Sequence, residues 1–281
     1  MERKSRTDFA GGGEGRAEEA GGRQRLRNVV EAEIIPRLVH AHAKPRDMSH
    51  ELHLIRPAEV EVFSRALLER SPEHAQQLLT AHIEVGIPLE AIYLQLFVGA
   101  ARLLGEWWES DESNFSQVTL AMSRVHAMLN ESSPSFHAAA LRSTVERSGE
   151  RRILITTLPG QHHTLGVSIL SEFFRREGWV VLAIPAPEPG LIQASLSAQW
   201  FDLLALSASM DGEVDDLGST IRAARKTSLN PRLGIMLGGP LLLRQPGLAE
   251  TLGADGVSAD ATDALALAQR LLQAQKEVRL N

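Results

Sequence analysis

Past Gly149 the chain repeats one pattern five times: a short run rich in Ile, Val and Leu, then a stretch with helical spacing of its apolar residues. The runs are Ile153–Leu158, Val180–Ile184, Leu203–Leu206, Gly234–Leu237 and Gly256–Val257. Alternation of strand and helix dictates a parallel sheet, because each strand must be followed by a crossover before the next can run the same way. The helices then cover both sheet faces.

Five such units suit a flavodoxin/Rossmann-like α/β domain, which binds ligands beyond the carboxyl ends of its strands. Ahead of Gly149 the pattern is helical only. A helix is expected to start near Pro57, and Ser71–Pro72, Ile87–Pro88 and Ser133–Pro134 mark further starts, since proline suits a first helical turn. This region is expected to form a four-helix bundle with short connections. Its third helix carries Ile92, Leu96, Phe97, Ala100, Leu103, Leu104 and Trp107 on one side, a stripe for the bundle core. From Gln24 to about Ala43, Leu26, Val29, Val30, Ile34, Leu38 and Val39 recur at helical spacing, with a kink at Pro36. Residues 1–22 mix charges with glycines and cannot bury enough apolar surface to offset their ordering entropy. The expected organisation is a disordered tail (1–22), a helical bundle (23–148) and an α/β domain (149–281).

Composition narrows the function. The 281 residues carry a net charge of -6, which argues against a broad nucleic-acid surface, because phosphate binding needs clustered Lys and Arg. No run approaches the roughly 20 apolar residues of a membrane helix, and the first 22 residues lack a signal-peptide core, so a cytoplasmic protein is expected. With no Cys, disulfides, thiolate metal sites and iron–sulfur ligation are excluded, and any metal must use His or carboxylate. Asp211, Glu213, Asp215 and Asp216 fall where a helix begins and are read as offsetting its dipole. Arg151-Arg152 and Arg175-Arg176 are read as solvated surface.

After the first strand comes Leu158-Pro159-Gly160-Gln161-His162-His163-Thr164-Leu165-Gly166, and an amphipathic helix runs from Leu165 through Arg176. Ser207-Ala208-Ser209 ends the third strand, and Gly238-Gly239 the fourth. Imidazole suits a borderline transition metal, hydroxyls can hold polar oxygens, and glycines let a rigid heterocycle approach the backbone. Taken singly these are weak signals: Gly238-Gly239-Pro240 alone is also a strand-to-helix turn.

In this order, His163-x-x-Gly166, Ser207-x-Ser209 and Gly238-Gly239 resemble the cobalamin-binding domain family. The resemblance implies His163 as the lower cobalt ligand in place of the cofactor's benzimidazole, with the displaced nucleotide tail in a groove lined by Ser207, Ser209, Gly238 and Gly239. Gln161, His162, Thr164, Leu165, Gly166 and Val167 are the accompanying candidate cofactor contacts. His162 misses the motif spacing by one and is read as a solvent-facing loop residue beside the ligand. Gln161 stands where the family usually has a carboxylate that holds the ligand His. An amide adds no negative charge, so weaker, more labile ligation is expected, and haem is kept as an alternative cofactor.

Leu104-Gly105-Glu106-Trp107-Trp108 likewise resembles the helical cap of corrinoid methyltransferase modules and CarH-like light sensors. It implies Trp108 over the upper corrin face, with Trp107 in the core. Val118 and Thr119 stand where such sensors carry a Glu-His pair, which favours a hydroxo- or aquo-cobalamin over the adenosyl form. His126, about 10 Å further along the helix, is read as an ordinary helix histidine.

From about residue 24 onward the chain resembles the AerR/PpaA group of photosynthetic proteobacteria, through Glu33-Ile34-Ile35-Pro36-Arg37-Leu38, Gln161–Gly166 and Ser171-Glu172-Phe173-Phe174-Arg175-Arg176-Glu177-Gly178-Trp179. The resemblance implies a non-enzymatic, light-responsive antirepressor that binds a CrtJ/PpsR-type repressor of photosynthesis genes. Three other readings stand beside it: a corrinoid methyl-carrier subunit, a haem-binding redox sensor, and a partner-binding domain without cofactor in which His163 is a solvated loop residue.

Overall fold

The computed structural model describes residues 54–138, 150–245 and 247–280. The expected tail (1–22), the helix from Gln24 to Ala43 and the Glu33–Leu38 segment lie outside the described residues. The described helical region contains α1 (Pro57–Leu68), α2 (Glu73–Glu84), α3 (Leu89–Ala91), α4 (Val98–Glu109) and α5 (Phe115–Ala138). Then follow β1 (Arg152–Thr157), α6 (Leu165–Arg176), β2 (Val180–Ile184), α7 (Leu191–Ala198), β3 (Leu203–Ser207) and α8 (Val214–Thr227). The chain continues through β4 (Gly234–Gly238), α9 (Pro240–Arg244), α10 (Leu248–Leu252), β5 (Gly256–Val257) and α11 (Ala261–Leu280).

The strands pair in parallel in the order β2-β1-β3-β4-β5. Central strands covered on both faces need continuous apolar runs, and Leu203 to Leu206 of β3 are all buried. Alternate residues serve opposite faces. Ile153, Ile155 and Leu203 pack with Val167 and Phe174 of α6 and with Ala264 and Leu267 of α11. Leu154, Leu204 and Leu206 pack with Ile192 and Leu196 of α7 and with Leu217 and Ile221 of α8. From β1 the chain steps outward to β2, then crosses back to β3 on the other side of β1. The winding therefore reverses between β1 and β3, and a crevice opens at their carboxyl ends.

α3 runs into α4 through a π-helical turn at Ile92–Phe97 that periodicity did not anticipate. Its wider turn keeps Tyr93 and Phe97 both fully buried and stacked, with ring centroids 5.7 Å apart. Ile92, Leu96, Phe97, Ala100, Leu104 and Trp107 are all buried, as their spacing requires, and Leu103 packs partly buried against them.

Ser133–Pro134 does not start a helix: Pro134 lies inside α5. Packing on both sides of the proline holds the helix together. Ser132 Oγ donates to the Met128 carbonyl at 2.7 Å and lies 2.8 Å from the Tyr93 hydroxyl, while Phe136 packs on Tyr93 and Phe173. Burial pushes the Tyr93 phenol up to about 12.

The amphipathic α6 is apolar on two sides. Val167 and Phe174 face the sheet, while Leu165, Ile169 and Phe173, at intervals of four, join the bundle core. The arginines expected at the surface stay exposed or half-exposed and are also engaged by neighbours. Arg151 lies over the Trp179 ring at 4.7 Å, Arg175 pairs with Glu172, and Arg176 pairs with Glu90 of α3 while covering Phe136 at 4.6 Å. Among the described residues no helix is long and apolar enough to cross a membrane.

Candidate functional site

The loop leaving β1 turns at Gly160, whose φ of 79° is left-handed. The Gln161 N–H then donates to the Leu158 carbonyl at 3.2 Å, and the Thr164 N–H to the His162 carbonyl at 2.9 Å. These bonds set His162 and His163 side by side and exposed, just ahead of α6.

Ser207, at the end of β3, is where the other motifs meet. A β-carbon on Gly166 would stand 3.8 Å from Ser207 Oγ, and one on Gly239 would stand 3.0 Å from it. The Gly239 β-carbon would also come within 2.4 Å of the Ala208 carbonyl oxygen, at a φ of 95°. Glycine is therefore required at 239 for both space and backbone conformation. Among the described residues Ser207 Oγ has no hydrogen-bond partner. At the sheet's switch point a hydroxyl without a partner among the described residues is thus framed by two glycines, one of them three residues after the exposed His163. This donor set fits a corrinoid, for which His163 would supply an imidazole and Ser207 a hydroxyl.

The other expected contacts divide between core and surface. Leu165 is buried in the bundle-side core and Val167 against the sheet, because the first turn of α6 must fill both layers. Among the described residues no hydrogen bond joins Gln161 to His163, so the amide does not orient the imidazole in this structure. Gly238 is half-buried, and its β-carbon would meet Ser258 Oγ at 3.4 Å, which places it toward β5. Ser209 is half-buried, its N–H donating to Glu213 Oε2 at 3.0 Å. Trp107 is 6% exposed and lies under Arg65, whereas Trp108 is 51% exposed and meets the exposed Phe115 edge-on at 6.5 Å.

Two residues matter more here than their sequence context indicated. Glu213 is buried and accepts the Ser209 and Met210 N–H groups, so it braces the loop after β3 as well as the start of α8. His126 reaches across from α5, its Nε2 standing 3.5 Å from Thr164 Oγ, next to His163. Burial lowers its imidazole below the ordinary value. Glu213 stands where an N-terminal capping carboxylate would, which is a legible signal; the contact of His126 has none, since it depends on how α5 docks.

Residues 151–268 match the family model of the B12 binding domain. The fold is shared with the monomethylamine corrinoid protein of Methanosarcina barkeri: the TM-score is 0.60 at 16% identity, over 78% of this chain and all of that one. The chain is also 25% identical over 174 residues to an uncharacterized 20.5 kDa protein in the bchF-crtJ intergenic region of Rhodobacter capsulatus. That match takes in 62% of this chain and 88% of the relative.

Proposed function

We propose that the chain binds a cobalamin-type corrinoid through His163 and acts as a light-responsive regulator, an antirepressor that works by contact with a CrtJ/PpsR-type repressor. The observation that carries the reading is the convergence of Gly166 and Gly239 on the Ser207 hydroxyl, which has no partner among the described residues, with the exposed His163 three residues ahead of Gly166, all within the segment that matches the B12 binding domain. A bound corrinoid would supply a light-absorbing cobalt centre with exchangeable axial ligands.

The chain's own residues hold it. His163 would donate an imidazole nitrogen, Ser207 would offer a hydroxyl to the nucleotide tail, and the exposed Gly166, with no side chain, would let that tail approach. Trp108 and Phe115 present apolar rings for the upper face. Val118 and Thr119 carry no imidazole for the upper face, which favours the hydroxo or aquo form. The regulatory part of the reading is supported by the relative in the bchF-crtJ intergenic region, a location that fits a partner of the CrtJ type. The role is non-enzymatic and cytoplasmic in this reading.

The test is an absorption spectrum of wild-type and His163→Ala protein after loading with hydroxocobalamin, in darkness and after illumination, with repressor binding measured on the same samples. Tight retention in the wild type, its loss in the variant and a light-dependent change in repressor affinity support the proposal. Retention that is independent of His163 overturns it. Methyl acceptance from a partner methyltransferase in darkness would assign a carrier role instead, and retention of haem in preference to corrinoid a redox-sensor role.

A further inference from the structure

α6 begins one residue after Thr164, so whatever fixes α6 along its axis also fixes the loop that carries His163. Apolar packing of Leu165, Ile169 and Phe173 into the bundle is non-directional and tolerates sliding. Glu172 supplies the direction. Its side chain is 10% exposed, and it gathers groups from both helices. Ser133 Oγ of α5 donates to its Oε2, and His137 Nε2 of α5 stands 2.9 Å from the same oxygen, within ion-pair distance though out of line for a hydrogen bond. Arg175 Nη1 of α6 donates to Oε1 at 2.9 Å. Beside them Arg176 pairs with Glu90 and covers Phe136, which packs on Phe173 at 5.1 Å. His126, Ser133 and His137 follow at intervals of seven and four and so share one face of α5. That face meets α6 at Thr164 and again at Glu172, about 12 Å further along.

We propose that Glu172 is a positioning residue for the His163 loop: by locking α6 in register against the last turns of α5, it sets where the ligand imidazole stands and couples the bundle to that site. Charge-assisted bonds to a buried carboxylate fix register as apolar contacts cannot. The part of this inference that concerns the cofactor rests on the corrinoid reading above.

The test compares wild type with Glu172→Gln, which keeps the shape and the Ser133 contact but removes the charge facing Arg175 and His137, and with Glu172→Asp, which restores the charge. Amide exchange is followed at 130–138 and 161–168 with and without hydroxocobalamin, together with the rate of corrinoid release. In the cofactor-free protein, Glu172→Gln is expected to speed exchange about tenfold in both segments together, with Glu172→Asp intermediate. Once loaded, the Gln variant should release corrinoid several-fold faster and show an altered axial-ligand absorption. Faster exchange confined to 130–138, with the loop and release unchanged, overturns the inference, because Glu172 would then only stabilise the bundle end. Failure of the wild type to retain hydroxocobalamin sinks the proposed function, while the exchange of the cofactor-free protein still decides whether Glu172 positions the loop.

Discussion

His126 Nε2, on the last helix of the bundle, lies 3.5 Å from Thr164 Oγ, the residue that follows His163. The contact ties the helical half of the protein to the His163 loop through a half-buried imidazole, and desolvation there holds the ring below its ordinary pKa. In the unfolded chain that ring takes up a proton near pH 6.5, but in the folded chain only at lower pH. Between those values the unfolded state binds more protons, so this residue's effect is to lower stability as pH falls below about 6.5. His126→Gln should flatten the acid side of the stability profile. Urea midpoints from pH 8 to pH 5 measure this, and identical pH dependence in both proteins would refute it.

Gly239→Ala should destabilise the α/β domain by about 2 kcal/mol or more. The new β-carbon meets the Ala208 carbonyl oxygen at 2.4 Å in a backbone conformation that L-residues avoid. Chemical denaturation of the cofactor-free variant checks it; a wild-type midpoint would show that the turn after β4 relaxes at little cost.

The two adjacent tryptophans should separate stability from binding. Trp107→Ala removes a buried side chain and should cost about 3–5 kcal/mol, whereas Trp108→Ala should change stability by less than about 1 kcal/mol. On the proposed function, only Trp108→Ala leaves a well-folded protein whose corrinoid spectrum and light response differ from wild type. Thermal melts paired with absorption spectra decide it, and equal spectra for wild type and Trp108→Ala would remove Trp108 from the cofactor site.

Ser207→Ala should leave the fold within about 0.5 kcal/mol of wild type, since its hydroxyl has no partner among the described residues to lose. Its effect should appear in affinity, weakening hydroxocobalamin binding by about 5- to 10-fold for one lost hydrogen bond. Equilibrium titration measures it, and unchanged affinity would place the nucleotide tail elsewhere.

The strands were legible because a doubly covered sheet needs continuous apolar runs. Val180–Ile184 and Gly256–Val257 fall where the runs end, and α6 spans Leu165 to Arg176 as its amphipathicity indicated. The motif order also indicated which three loops meet. Less legible was whatever depends on one element docking on another. Pro134 looked like a helix start, yet Tyr93 and Phe173, distant in sequence, hold α5 through it. Leu165 and Val167 sat inside a binding motif, but the two-sided packing of α6 claims their side chains for the core. Arg175 meets Glu172 one turn away on its own helix, whereas Glu90 is brought to Arg176 only by folding.

Local pattern by itself determined the strand–helix alternation, the helical bundle ahead of it and the identity of the chemically capable groups: one exposed His-His pair, a serine after β3 and paired glycines after β4. Those features follow from periodicity and turn chemistry, which act within a few residues. Tertiary structure alone decided that Ser207 lies between Gly166 and Gly239 with no hydrogen-bond partner among the described residues, that His126 approaches the His163 loop and that Glu172 bolts α6 to α5. Each of these is a contact between residues far apart in the chain, set by how the bundle docks on the sheet domain, and no short-range rule encodes it.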